Sequence, residues 1–344
     1  MNFSSDNITC ACPEIAAAVM AANDGPAMPY GADATTGTLE QTIADLFETR
    51  ADVFLVATGT AANVLALSVL APPYGSIYCH PEAHIEVDEC GGPEFYTGGA
   101  KLVHLPDRDG KITAADLAEA LKDEHGDVHH VKPAAVSLSQ TAETGVVYSL
   151  DEITAISAVA HEHGLKVHMD GARLANAVAA LGCTPAQMTV KAGIDAVSFG
   201  ASKNGAFAAE AVVIFTAGLA DEFAYRRKRG GHLFSKMRFL AVQFETYLKD
   251  GLWLKMAGHA NDCMKTLAQG LGEIGDVELL FPADANMLFA RLPNTMIEGL
   301  RNAGFAFYDW PGEERSIIRL ITAFNTDKTD IEAFLAEARR LSNP

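Results

Sequence analysis

Seven short apolar, β-prone runs constrain the fold of this chain more than any other feature. They lie at 53–57, 76–79, 101–105, 134–138, 166–169, 196–199 and 211–215. Between several of them the apolar spacing changes to a helical period, at 60–70, 113–122 and 149–163. The last of these opens with Ser149 and carries Glu152 three residues on, the signature of a capped helix start. Strands that alternate with helices build a mostly parallel sheet covered by helices on both faces. Seven runs predict a seven-stranded sheet, larger than a minimal nucleotide-binding unit.

Beyond about residue 238 the texture changes. A helical pattern covers 239–248 and continues to 271, followed by strand-like segments at 277–281, 285–292 and 316–320 and helical ones at 293–302 and 328–341. The expectation is a large α/β domain over 26–240 and a small α+β domain over 241–344. Residues 1–25 form an N-terminal arm and helix expected to pack with the small domain.

Charge narrows the partners. Twenty-six basic against forty-four acidic residues leave a net charge of −18, which argues against nucleic acid and anionic membranes. The N-terminus has no basic, apolar leader pattern, and no apolar run is long enough to span a bilayer. A cytoplasmic protein is expected. The six cysteines are scattered, and Cys10 and Cys12, the close pair, lack a second pair at zinc spacing. Reduced thiols and no metal site follow.

The chemistry concentrates at run ends. Asp170 closes the run 166–169 and is followed by Gly171, Ala172 and Arg173; Lys203 follows the run 196–199 among the small residues Ser202, Asn204 and Gly205. Ligands of open α/β sheets bind at the carboxyl ends of strands. A lysine that can form a Schiff base with an aldehyde, and an acid that can hold a pyridine nitrogen protonated, are what pyridoxal 5'-phosphate (PLP) needs.

Thr58, Gly59 and Thr60 follow the run 53–57 at a helix start, where backbone N–H groups can hold a phosphate, although neither a Walker A loop nor a GxGxxG fingerprint is present. His84, with Glu89 five residues later, reads either as a loop histidine or as a ring stacked on a cofactor. His129 and His130 precede the run 134–138, and one of them is a proton-transfer candidate because imidazole titrates near neutral pH. Arg173 can fork to a carboxylate or lock a polar network. Arg319 lies inside an apolar strand-like run and needs a partner, either a substrate carboxylate or an internal acid. His161, His163 and His168 match no metal spacing and read as structural or surface residues.

Several motifs together resemble the threonine aldolase family of fold-type I PLP enzymes, whose architecture is aspartate aminotransferase-like. They are Ser5-Asp6-Asn7, Tyr30-Gly31-Ala32-Asp33, Thr58-Gly59-Thr60-Ala61-Ala62-Asn63, Ala83-His84-Ile85, Asp170-Gly171-Ala172-Arg173 and Ser202-Lys203-Asn204-Gly205. The resemblance implies that Lys203 is the Schiff-base lysine, Asp170 the partner of the pyridine nitrogen and His84 the ring-stacking histidine. It implies a phosphate cup at Gly59, Thr60 and Ala61. Ser5, Arg173 and Arg319 would hold the substrate carboxylate, His129 would sit near the β-hydroxyl, and Tyr30 and Glu89 would line the pocket.

Two departures stand out. The arginine that in many members reaches the phosphate across a subunit interface is not in place, and Lys228, Arg229 and Lys236 are the available substitutes. Ala32 stands where the more selective pattern has Asp, which resembles the low-specificity branch that also accepts β-aryl substrates such as phenylserine. The implied activity is reversible cleavage of L-threonine, L-allo-threonine and related β-hydroxy-α-amino acids to glycine and an aldehyde. The implied assembly is a homodimer or homotetramer with sites at the interface. A β-eliminating lyase or an aminotransferase of the same fold is the nearest alternative. Against a non-catalytic regulator of this fold, the chain shows no DNA-binding appendage and carries all the expected catalytic residues; against a nicotinamide dehydrogenase, it shows no glycine fingerprint.

Overall fold

The computed structural model describes residues 1–122, 126–310 and 316–342. All seven runs form strands: β1 (Asp52–Val56), β2 (Gly75–Cys79), β3 (Lys101–His104), β4 (Lys132–Ser139), β5 (Lys166–Gly171), β6 (Ala196–Gly200) and β7 (Glu210–Ile214). They form one sheet in the order β1-β7-β6-β5-β4-β2-β3. Neighbours pair in parallel except around β7, which runs antiparallel to both β1 and β6. The exception has a local cause. Residues 201–209 link β6 to β7, too few for the helical crossover a parallel partner requires, so the chain turns straight back. That short link carries Lys203.

Helix Gly59–Leu70 is apolar nearly all round, and every residue from Ala61 to Ser68 is buried. It packs beneath the sheet in a core with Val56, Ile77, Val212 and Ile214. On the opposite face helix Leu150–Glu162 starts at the predicted cap: Ser149 Oγ accepts from Glu152 N at 3.2 Å, and Glu152 Oε2 accepts from Ser149 N at 2.7 Å. Such caps contribute about 1 kcal/mol by satisfying helix-end N–H groups.

The C-terminal part forms a second, antiparallel sheet from β8 (Glu278–Leu279), β9 (Met287–Arg291), β10 (Tyr308–Asp309) and β11 (Ile317–Ile321), in the order β10-β11-β9-β8. It shares a separate core with helices Leu252–Gly272, Asn294–Asn302 and Lys328–Ser342, built around Leu267, Leu288, Leu320 and Phe334. The chain start joins this unit: Phe3 N donates to Ala306 O, and Ile321 N donates to Phe3 O, both at 2.8 Å.

Two expectations are corrected. The long helical stretch is two helices, Arg238–Leu248 and Leu252–Gly272, broken where Asp250 and Gly251 take positive φ values of 52° and 69°. The first helix, Pro13–Ala21, does not pack with the small unit. It lies against Arg238–Leu248, with Cys12 and Ile15 in the core of the large sheet. Only the extended residues ahead of it go with the small sheet. Among the described residues no helix is long and apolar enough to cross a membrane.

Candidate active site

A cavity of about 370 Å³ opens where the parallel strands end. Ser139 ends β4, Asp170 lies near the end of β5, Thr58 follows β1, and Ser202 and Lys203 follow β6. Because β7 is antiparallel, its first residue, Glu210, lies at the same edge, in register with Gly200 and Val56. One sheet edge therefore gathers groups from five strands, and His84 adds a ring from the segment after β2.

The turn carrying Lys203 is fixed from below. Asn204 is buried, and its Nδ2 donates to Tyr247 Oη and Trp253 O, each at 2.9 Å. Gly205 has φ +104°, and an added Cβ would sit 3.1 Å from Cys12 Cβ, so both its conformation and its surroundings call for glycine. At the end of β6, Gly200 is also forced: a Cβ there would sit 2.7 Å from Ala172 O and 3.0 Å from Glu210 Oε2. The lysine itself is half-buried and donates no hydrogen bond to any described residue. A rigid turn thus presents an uncommitted amine.

Asp170 sits at the centre of a polar network. Its Oδ1 accepts from Ala172 N at 3.0 Å and its Oδ2 from Asn63 Nδ2 at 2.7 Å. The same Asn63 Nδ2 donates to Glu89 Oε1 at 2.8 Å, which shares a 2.9 Å hydrogen bond with His84 Nδ1. Burial pushes the Glu89 carboxyl up against the opposing pull of His84 and Asn63. The hydrogen bond to Glu89 in turn raises His84 above the usual imidazole value, against its own burial. Glu89 does not line the cavity; it orients the histidine that does.

Arg173 meets a different partner from the one expected. Its Nε and Nη2 donate to Asp6 Oδ2 and Oδ1 at 2.7 and 2.9 Å, and Asn286 Nδ2 adds a 3.2 Å bond to Asp6. Burial opposes the charge on Asp6, yet the guanidinium beside it holds the carboxyl below its ordinary range. Arg173 is thus tied into a polar network, and its guanidinium still lines the cavity. Arg319 donates from Nη2 to Ser4 O at 3.2 Å and lies 5.2 Å from the Tyr308 ring centroid, its buried Nε without a partner among the described residues. Burial and the nearby Arg173 charge lower its pKa.

Other expected residues are not brought together. His129 is exposed ahead of β4, its backbone N–H bonded to Asp127 Oδ1 at 2.8 Å. The seven residue-to-residue steps along β4, at about 3.3 Å each, put it roughly 20 Å from the cavity, at the wrong end of the strand. It cannot meet a substrate hydroxyl there. Lys236 is exposed and lines no part of the cavity; the backbone before it is held by Tyr30 N donating to Ser235 O at 3.1 Å. Tyr30 is 50% exposed and faces a separate small cavity with Arg227 and Glu40. Ser5 caps the turn at Asn7 and does not line the main cavity. Ala61 N–H is occupied by Thr58 Oγ1 at 3.1 Å, which leaves Gly59 and Thr60 to offer backbone donors.

Sequence reasoning passed over several groups that the fold brings in: Asn63, Asp6, Glu143 and Glu210. Asn63 falls inside a quoted motif, one turn from the phosphate cup, so its helical phase could have revealed it. Burial pushes Glu210 up to about 7, against its Ser202 hydrogen bonds and the nearby Lys203 charge. Nothing in its apolar strand distinguishes it before the sheet is assembled.

These residues fit PLP. The helix start at Gly59 offers free N–H groups, with open space where a side chain would stand. The Thr60 and Ser202 hydroxyls lie in the same lining. Asp170 would supply the buried acid for a ring nitrogen, His84 a ring for the wall, and Lys203 the amine. The cavity is within the roughly 300–1,000 Å³ range of small-molecule sites.

A family described as beta-eliminating lyase matches residues 2–294. The chain is 44% identical over 338 residues to the low specificity L-threonine aldolase of a Pseudomonas species (strain NCIMB 10558), covering 98% of this chain and 96% of the relative. It is 45% identical over 326 residues to the enzyme so named from Pseudomonas aeruginosa, covering 94% and 93%. Among solved structures, Leishmania major threonine aldolase superposes with a TM-score of 0.93 at 32% identity, covering 99% of both chains. Serine palmitoyltransferase of Sphingomonas wittichii, at 16% identity and a TM-score of 0.73 over 99% and 86%, shares the fold alone.

Proposed function

The chain belongs to the beta-eliminating lyase family and within it to the low-specificity L-threonine aldolases, and from that premise we propose how its cavity works. Its activity is that of an L-threonine aldolase, a carbon–carbon lyase. The substrates we assign are L-threonine, L-allo-threonine and related β-hydroxy-α-amino acids, including phenylserine, cleaved reversibly to glycine and an aldehyde. The observation that carries this reading is that Asp170 and Lys203, from neighbouring strands, share one cavity with the helix start at Gly59.

PLP, bound there, supplies an electron sink for the pair released when a bond to Cα breaks. Lys203 would hold it through Nζ, Gly59, Thr60 and Ser202 through its phosphate, and Asp170 through its ring nitrogen, whose proton the carboxylate keeps in place. Arg173, steadied by Asp6, and Arg319 would grip the substrate carboxylate and so fix which bond at Cα stands ready to break. Lys203 Nζ would then return a proton to Cα and complete glycine. The assembly we assign is a homodimer or homotetramer. The exposed Tyr30, with Lys228 Nζ 4.9 Å from its ring centroid, and the exposed aromatics Phe95 and Tyr225 support it, because a second copy could cover them.

The test is absorbance of the purified protein in the PLP region before and after L-threonine, with aldehyde assayed in the same tube. A cofactor band together with acetaldehyde release is expected. An α-keto acid and ammonia in place of aldehyde would move the assignment to elimination. Absence of a cofactor band after adding PLP would end it.

A further inference from the structure

Retro-aldol cleavage needs a group that takes the proton of the substrate β-hydroxyl, and His129 lies at the far end of β4 from the cavity. Among the described residues, the proton-accepting side chains that line the cavity are His84, Asp170, Lys203, Glu143 and Glu210. Four of them are committed. Asp170 accepts from Asn63 and Ala172, and Lys203 is the cofactor's amine. His84 has Nδ1 bonded to Glu89, which favours its cationic form. Glu210 is buried at the sheet edge, partnered by Ser202. Glu143 is different: its half-buried carboxylate accepts no hydrogen bond from any described residue and faces the cavity.

The loop that carries it is clamped on both sides. Before it, Gln140 N donates to Asp170 O at 2.8 Å, and the Gln140 side chain pairs with the backbone of Tyr148 at 2.9 and 3.0 Å. Across it, Ala142 N closes the turn onto Val146 O at 3.0 Å, and after it Val147 N donates to Asp284 Oδ2 at 3.0 Å. Gly145, at φ +86°, lies so close to the small unit that a Cβ would sit 2.8 Å from Met287 O. A free carboxylate on so fixed a turn is a positioned one.

Resting on the aldolase reading, we propose that Glu143 is the catalytic base for the substrate β-hydroxyl and so decides that Cα–Cβ cleavage is the bond-breaking step. The carboxylate takes the hydroxyl proton, the oxygen's electron pair becomes the second bond of the aldehyde carbonyl, and the Cα–Cβ pair passes to Cα. The groups facing Glu143 are Lys203, Arg173 and His84, which favour its charge, Asp170, which opposes it, and Arg319. Burial is the strongest influence and raises the carboxyl above its ordinary value, which makes it a better base.

The experiment compares the parent protein with Glu143→Gln and Glu143→Asp, all loaded with PLP. Three readouts are taken: aldehyde release from L-threonine across pH, the absorbance-monitored dissociation constant for glycine, and exchange of the glycine α-proton in D₂O. Glycine has no β-hydroxyl, so the last two do not need this base. The expected result is that Glu143→Gln loses about 10²–10⁴-fold in aldehyde release together with the acidic limb of the pH profile, while glycine binding and exchange stay near parent values. Glu143→Asp recovers part of the loss. Aldehyde release near the parent rate in Glu143→Gln would overturn the proposal, and so would an equal loss of glycine binding and exchange. A parent protein that exchanges glycine but releases no aldehyde from L-threonine would instead bring down the aldolase reading, and this assignment with it.

Discussion

Arg173 and Asp6, 167 residues apart in the sequence, are joined by two parallel hydrogen bonds of 2.7 and 2.9 Å in a buried pair. The pair ties the N-terminal arm, whose Phe3 is packed in the small unit, to the end of β5 in the large sheet. It thereby fixes a cavity guanidinium from a part of the chain that lies outside both sheets.

Replacing Asp6 by Asn should cost about 3–5 kcal/mol of stability, because it leaves a buried guanidinium without its counter-charge. The folded-state pKa of Asp6 lies below the unfolded value near 3.8. The pair's contribution is therefore complete above that value and disappears as pH falls through the lower, folded one. Urea denaturation at pH 7 and at pH 3 checks both points: the gap between parent and Asp6→Asn should narrow on acidification.

Asn63→Ala removes the donor that Asp170 and Glu89 share and leaves both carboxyl groups short of a partner. At about 1–3 kcal/mol for an unmet buried group, PLP affinity should fall roughly ten- to a hundredfold. Titration of the cofactor absorbance reads it directly. Unchanged affinity would mean that the network does not hold the ring.

Lys203→Ala should abolish turnover and the absorbance of covalently held cofactor, while the thermal midpoint of the cofactor-free protein stays close to the parent value. The side chain makes no hydrogen bond among the described residues, so little folding energy rests on it. His129→Ala is the counter-test. An exposed residue far from the cavity should change stability by no more than about 0.5 kcal/mol and leave kcat unchanged.

Glu210 should give the cofactor-free protein a stability that falls as pH rises. Its folded pKa, about 7, lies above the ordinary 4.5. Its contribution is complete below 4.5 and is lost progressively up to about 7, where the buried group is forced to ionise. Glu89 and Glu143, also raised, act in the same direction. Glu210→Gln should flatten this slope by up to about 3 kcal/mol between pH 5 and 8, measured by urea denaturation. A slope identical to the parent's would show that Glu210 is already ionised in the folded protein.

The sequence by itself determined the seven strands, the capped helix at Ser149, the helix start at Gly59 and the positions of Asp170 and Lys203 at neighbouring strand ends. Each of these is written in local periodicity, turn chemistry or position at a strand end, and a parallel sheet brings its strand ends together whatever their order. Tertiary structure alone decided the partners. That Asp6 takes up one edge of Arg173, that Asn63 bridges Asp170 and Glu89, and that Glu143 and Glu210 enter the cavity all depend on strand order and on how the small unit is seated. His129 shows the limit most plainly. A residue before a strand and a residue after it look equally near in sequence, but about 20 Å of extended backbone separates them. Local pattern fixes an element and its direction, while packing fixes which side chains meet, because contacts between distant segments leave no periodic trace in the chain.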